Sequence, residues 1–210
     1  MSVIIFLNFT FSLPHVTKLK ELPLGGAKLK IVKALTNEDQ ERVFYNDLPF
    51  KYKIIWLIGR TTGLRVSDIL LLRPSQVVGV LLSTHHSFSI KEKKTGKCRT
   101  CDFKSLDSEE LASLKIYLIG IMSLRQEYLF CGRDLKKPLS RIQVYRVLSA
   151  VAKRNGLEGI GTHSMRKTFA REHYKLHRDV SELQCVLNHK NAETTMGYLI
   201  DKNAIDTIIF

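Results

Sequence analysis

The sequence has no apolar stretch that could cross a bilayer. Its longest, Ile116 to Met122, directly follows Lys115 and is far short of the roughly 20 residues a spanning helix needs. The opening MSVIIFLNFTF carries neither the positive flank nor the small-residue cleavage site of a secretory signal, so the chain is expected to stay in the cytoplasm, away from membranes. Cysteine is scarce. Of Cys98, Cys101, Cys131 and Cys185 only the first two form a C-x-x-C, and there is no second pair at zinc-ribbon spacing. Their setting, KCRTCDF, reads as a strand that turns i and i+3 to opposite faces, so free thiols are expected and no metal. Internal repeats and low-complexity segments are also lacking. Acidic residues are the other shortage: 20 Asp plus Glu stand against 33 Lys plus Arg, giving +13 formal charge and a pI of 9.7. That balance favours a polyanionic partner, nucleic acid above all; an acidic membrane surface would want a basic amphipathic helix, and here the basic residues are spread over loops and several helices.

What is present fits one well-buried domain with at most a small extension, since 210 residues do not argue for two large ones. Residues 1–35 read as a lead-in, with a Pro/Gly loop in LPLGGAK at 22–28. A compact domain is expected over 36–200, opened by a capping box of Thr36 with Asp39, and a tail over 201–210. KYKIIWLIGRTT at 51–62 reads as a helix stopped by a left-handed Gly63, and VSDILLL as a short helix ended by Pro74. The runs VVGVLLS, FSIKEKK and CRTCDF suggest three antiparallel strands, with KTGK at 94–97 as a hairpin tip. Asp107 with Glu110, and Ser140 with Gln143, read as further capping boxes. The second opens a helix whose apolar residues 144, 147, 148 and 151 share a face before Gly156. From Thr162 the spacing predicts helices of about a dozen residues or fewer. The fold class is therefore mainly α with a small antiparallel three-stranded sheet.

Several polar segments could carry chemistry. Arg65, in TTGLRVSD, follows a glycine turn and precedes a helix, where a guanidinium fork joins free backbone N–H groups in suiting a phosphate; a solvated surface arginine is the plainer alternative. Lys94 lies among Lys91, Lys93, Lys97 and Arg99 in a hairpin that could neutralise phosphates and set one ammonium at a leaving oxygen, although lysine-rich turns are usually just solvated. His163 and Arg166, in GTHSMRKTFAREHY, are i and i+3 on one helical face and could meet one phosphate. His189 and Tyr198, in NHKNAETTMGYL, stand nine residues apart. Taken singly each is weak.

Taken in order, GLRVSDIL, KTGK, HSMRKTFA and LNHKNAETTMGYL resemble the catalytic domain of the tyrosine recombinases, the phage integrase family, over roughly residues 36–200. The resemblance implies that Arg65 and Arg166 clamp a scissile phosphate, that Lys94 is the general acid with Lys93 as its alternative, that His163 and His189 flank the phosphate, and that Tyr198 is the nucleophile. It implies site-specific cutting and rejoining of double-stranded DNA through a 3′-phosphotyrosyl link, with no cofactor, metal or ATP. It further implies a nucleoid-associated monomer that forms a tetramer on DNA, with the apolar tail of Ile205, Ile208, Ile209 and Phe210 packing on a neighbouring protomer. Lys91, Lys93, Lys97, Arg99 and Arg141 are the expected DNA contacts. The sequence departs from the family where Arg166-Lys167 replaces Arg-His and Leu187-Asn188-His189 replaces Leu-Gly-His, and about 35 residues are too few for the family's N-terminal clamp domain. A type IB topoisomerase-like activity and a catalytically silent DNA-binding relative are the competing readings.

Overall fold

Helix α2, Phe50–Thr62, is apolar on nearly every side, with Ile54, Ile55, Leu57 and Ile58 fully buried, and each such side chain is worth about 2 kcal/mol when taken out of water. A helix apolar all round can only be central, and the rest of the domain is arranged about it. The computed structural model describes residues 32–35, 37–82 and 86–199. Before α2 comes α1, Glu38–Asp47. After it follow α3, Val66–Ile69; α4, Pro74–Val77; α5, Gly79–Leu82; the hairpin β1, Ser87–Lys91, and β2, Cys98–Asp102; then α6, Ser108–Met122; α7, Arg141–Arg154; α8, Thr162–His177; α9, Val180–Val186; and α10, Ala192–Leu199. The loop expected at 22–28, Thr36 and the tail at 201–210 fall outside the described residues.

Local signals place several ends. Asn37 caps α1 by accepting from the Gln40 N–H at 2.9 Å, one residue beyond the threonine that the sequence suggests. The boxes at Asp107/Glu110 and Ser140/Gln143 both form, because each pair exchanges two hydrogen bonds that water would otherwise supply. Gly63 ends α2 at φ 63°. A Cβ there would also lie 2.4 Å from the Phe169 ring, so both backbone and packing require glycine. One turn earlier, a Cβ on Gly59 would sit 2.6 Å from the Met165 sulfur, which marks the close crossing of α2 and α8. Phe44 meets Trp56 edge to face at 4.8 Å, joining α1 to the same core.

The sheet has two strands among the described residues, not three. Residues 77–82 of that run are helical, apart from a turn at Val78: Pro74 occupies the first turn of α4, the Gln76 side chain accepts from the Arg73 N–H at 2.8 Å, and Val77 and Val80, both fully buried, recur at helical spacing. A short apolar run is ambiguous between the two states, and the cap with proline decides it. Helix α8, at 16 residues, is longer than expected. In the hairpin, Phe88 faces Cys101 and Ile90 faces Arg99, while Lys91 faces Cys98. Phe88, Ile90 and Cys101 are buried, so Arg99 shares the inward face.

Candidate active site

Arg166 projects from the first turns of α8 into the junction of α2 and α9. It is only 1% exposed. Its Nη1 donates to the Gly63 carbonyl at 2.5 Å, and its Nη2 donates to the Leu187 carbonyl and approaches His189 Nε2 at 3.3 Å. Its Nε is buried and has no hydrogen-bond partner among the described residues. Burial, then the neighbouring Arg65 charge, brings its pKa down to about 10, so the guanidinium stays charged at neutral pH but would gain from an anion.

His189 follows α9 and is half-buried. Since Nε2 faces an arginine donor, Nδ1 carries the proton and donates to Thr195 Oγ1 at 3.0 Å. Desolvation first, then Arg166 and Arg65, pushes its pKa down to about 4, and the ring is neutral at pH 7. The Tyr198 ring on α10 lies 5.0 Å from the His189 ring, centre to centre, and rests on the small apolar cluster of Ala170, Leu183 and Leu187. Helix α10 is tied to its own domain by Arg171, which donates to the Leu199 carbonyl at 3.4 Å, so tyrosine and histidine meet within one chain. His163 is exposed on the first turn of α8; partial desolvation and then the charges of Arg166 and Arg65 lower its pKa.

Arg65 stands immediately before α3, its Nη1 donating to Glu92 Oε2 at 3.0 Å. Lys94 is exposed at the hairpin tip, close enough for its charge to help depress His189. The structure thus brings Arg65, His163, Arg166, His189 and Tyr198 into one basic cluster with Lys94 at its edge. Lys91, Lys93, Lys97 and Arg141 are exposed, and the Arg141 charge reaches His163. Arg99 is different. Strand parity turns it inward, where it donates to the Thr62 carbonyl, sits 3.7 Å from Glu92 Oε1 and lies over the Phe169 ring, so it is a brace beneath the hairpin where a DNA contact was expected.

A model of the family described as "Phage integrase family" matches residues 29–204. The chain belongs to the phage integrase family. A "Probable integrase/recombinase YoeC" of Bacillus subtilis (strain 168) is 38% identical over 145 residues, covering 69% of this chain and 75% of that protein. Among solved structures, the XerA recombinase superposes with a TM-score of 0.68 at 20% identity, over 84% of this chain and 63% of its own. XerH bound to its difH substrate gives 0.64 at 22% identity, over 86% and 53%. A lambda integrase tetramer bound to a Holliday junction gives 0.61 at 20%, over 84% and 50%. The chain therefore spans one half to two thirds of the solved structures it matches, and at these identities they establish its fold, that of the tyrosine recombinase catalytic domain.

Four residues of this integrase site escape motif reading. Glu92 and Asp68 are buried carboxylates, 1% and 2% exposed. Asp68 Oδ1 accepts from the Lys93 N–H at 3.0 Å, and burial raises its pKa. Burial would raise Glu92 too, but hydrogen bonds from Thr95 and Asn188 and the charges of Arg65 and Arg166 outweigh it and hold the carboxyl below its usual range. Asn188 adopts φ 49°, the left-handed conformation for which the family's glycine is suited and which asparagine also tolerates; its side chain helps lower the Glu92 pKa, as a glycine could not. Thr195, fully buried, fixes the His189 tautomer. At the other departure from the family, Lys167 donates to the Val32 carbonyl at 2.7 Å, and its charge also reaches His163. The visible signal for Asp68 is its place one helical turn after Arg65, and that for Asn188 is its departure from the family's glycine; Glu92 carries none because Arg65 lies 27 residues away, and Thr195, six residues from His189, carries none because nothing marks which threonine of a polar helix is buried.

Cys98 is exposed and Cys101 buried, on opposite faces as strand parity requires, and burial lifts the Cys101 thiol to about 11. His173, His177 and Glu182 also cluster, beside a cleft of about 950 Å³ lined by Arg99, Phe169 and Asn188. The two imidazoles stack 4.3 Å apart at 22°, so their in-plane lone pairs do not converge on one point, and the cluster is read as polar packing between α8 and α9. No described helix is long and apolar enough to cross a membrane.

Proposed function

We propose that this chain performs site-specific recombination, cutting and rejoining double-stranded DNA through a 3′-phosphotyrosyl intermediate with Tyr198 as nucleophile. The observation that carries this reading is the Arg166–His189–Tyr198 contact series within one chain, 3.3 Å and then 5.0 Å between rings, beneath Arg65. Tyr198 Oη forms the bond to phosphorus while the bond from phosphorus to O5′ breaks. The phenolic proton passes to a neutral imidazole of the pair His163 and His189, and Lys94 gives a proton to the departing O5′. A free phenol holds its proton to about pH 10, so the step needs both an acceptor and cations that stabilise the phosphorane; Arg65 and Arg166 supply the latter from a preorganised, partly desolvated site. Since guanidinium groups do the charge stabilisation, cleavage should persist in a chelator. The ester conserves the phosphodiester energy, so attack by another strand's 5′-hydroxyl reverses the step without ATP.

The protein would act as a monomer in solution and a tetramer on DNA, with Lys91, Lys93, Lys97 and Arg141 among its phosphate contacts. In that assembly residues 201–210 would pack on a neighbouring protomer. Truncation after Asp201 should then leave DNA binding intact and abolish strand exchange; loss of folding instead would assign the tail to its own domain. The central test is a covalent adduct on a nicked suicide substrate. It should form with the parent protein and disappear in Tyr198→Phe, and an adduct that survives the substitution overturns the assignment.

A further inference from the structure

Three segments of the site meet at one side chain that no motif marks. Glu92 is fully enclosed, with 0% of its side chain exposed. Oε2 accepts from Arg65 Nη1 at 3.0 Å and from Thr95 Oγ1 at 2.9 Å, Oε1 has no hydrogen-bond partner among the described residues but faces Arg99 at 3.7 Å, and the Asn188 side chain helps hold the carboxyl below its usual range. Arg65 is one of the phosphate cations, Thr95 adjoins Lys94, and Asn188 adjoins His189. A carboxylate buried this deeply is kept only when its charge is answered on several sides.

The hairpin geometry gives that convergence a direction. Lys94 is exposed, and among the described residues its ammonium has no hydrogen-bond or ion-pair partner. Its neighbours are both fastened: the Lys93 N–H is bonded to Asp68 at 3.0 Å, and the Thr95 hydroxyl to Glu92. Within the same turn the Glu92 carbonyl accepts from the Gly96 N–H at 2.8 Å, and the Glu92 N–H donates to the Lys97 carbonyl at 3.0 Å. The backbone of Lys94 is thus pinned on both sides by carboxylates that stand beside Arg65, leaving only its side chain free to move. Arg65, with one nitrogen on Glu92, keeps the rest of its fork for an anion.

We infer that Glu92 is a positioning residue for the general acid: through Thr95 it sets the hairpin so that Lys94 reaches the leaving oxygen of a phosphate held by Arg65. This rests on the proposed function of Lys94 and Tyr198. A brace that merely stabilised the domain would bury Glu92 just as well, so the test must read proton delivery itself. A 5′-bridging sulfur in place of the leaving oxygen departs as a thiolate and needs no acid.

The experiment compares single-turnover cleavage of nicked suicide DNA carrying oxygen or sulfur at that position, with the full chain and saturating DNA. Thr95→Val removes the hydroxyl alone, with its bond to Glu92 at 2.9 Å and the long Lys97 N–H contact at 3.4 Å. It should cleave the oxygen substrate about tenfold more slowly and the sulfur substrate at the parental rate, the loss expected of a misplaced catalytic group. Glu92→Ala should show the larger oxygen-specific loss, and Thr95→Val keeps the inference testable where Glu92→Ala does not fold. A parental rate for Thr95→Val on oxygen, or equal slowing on both substrates, overturns the inference. Lys94→Ala is the control for the underlying reading. If sulfur does not rescue it, Lys94 is not the acid, whereas rescue of Lys94→Ala without rescue of Thr95→Val rejects the role of Glu92 alone.

Discussion

Arg166 and Lys94 bring one positive charge each to the same pocket under opposite circumstances. The arginine is 1% exposed and joins the ends of α2 and α9 through their carbonyls. The lysine stands in water on a turn and is aimed by the groups that flank it. A charge that must hold a transition state still is built into the core, where it costs no reorganisation when the phosphate arrives. A charge that must hand over a proton is kept on a side chain that can move. Substitution should therefore separate stability from catalysis in one place and not in the other.

The largest effect is expected from Arg166→Ala. Cleavage should fall by about 10²-fold or more. Melting should show a loss of several kcal/mol, since the carbonyls of Gly63 and Leu187 lose their donor and each buried unsatisfied group costs about 1–3 kcal/mol. Arg166→Lys should restore little, because a single ammonium cannot span both carbonyls and His189. Lys94→Ala sharpens the contrast: cleavage should again fall about 10²-fold, with the unfolding midpoint unchanged to within about 0.5 kcal/mol. Comparable destabilisation by both variants would erase the distinction drawn here.

The same division explains what the sequence discloses. The stop at Gly63, the capping boxes at Asp107 and Ser140 and the KTGK tip are legible because each is completed within a few residues of itself. The order of the polar motifs points to the residues that the fold gathers at the candidate site. Glu92 stays hidden because its partner Arg65 belongs to another segment, and Thr195 because its burial beside His189 is not marked in a helix with two adjacent threonines. Arg99 misleads for a related reason: its lysine-rich surroundings suggest solvent, while strand register against Ile90 turns it inward. The third strand fails where a short valine-rich run leaves helix and strand undecided, and only the Pro74 start with its Gln76 cap resolves it.

Acidity tests the buried half of the pocket. Desolvation, then Arg166 and Arg65, holds His189 at about 4, so a proton acceptor is available throughout the neutral range and the acid limb of kcat/KM should lie well below the ordinary histidine value near 6.5. Bound phosphate adds negative charge and should move the limb of kcat upward. The sign for folding is the same as for activity: between about 6.5 and 4 the unfolded chain binds the proton that the folded chain refuses, so stability falls as pH falls through that window. Thr195→Val removes the acceptor of the Nδ1–H bond, which the charged ring needs more than the neutral one, so the limb should move to still lower pH; a limb left unmoved by that change would detach His189 from the proton's path.

The smallest expected effect divides two basic residues of one hairpin. Lys97 is exposed, and Arg99 faces Thr62, Glu92 and Phe169. If DNA binding neutralises about six phosphates, log K against log salt should have a slope near −5, with each lost contact removing about 0.9 of it. Lys97→Ala should make that single-contact change and leave stability within about 0.5 kcal/mol. Arg99→Ala should do the reverse: the salt slope is retained, while the domain loses about 1–3 kcal/mol because the Thr62 carbonyl loses its donor and one oxygen of a buried carboxylate loses its nearest cation. A slope that flattens in Arg99→Ala and not in Lys97→Ala would mean that DNA draws the guanidinium outward, turning the brace into a contact that forms only on binding.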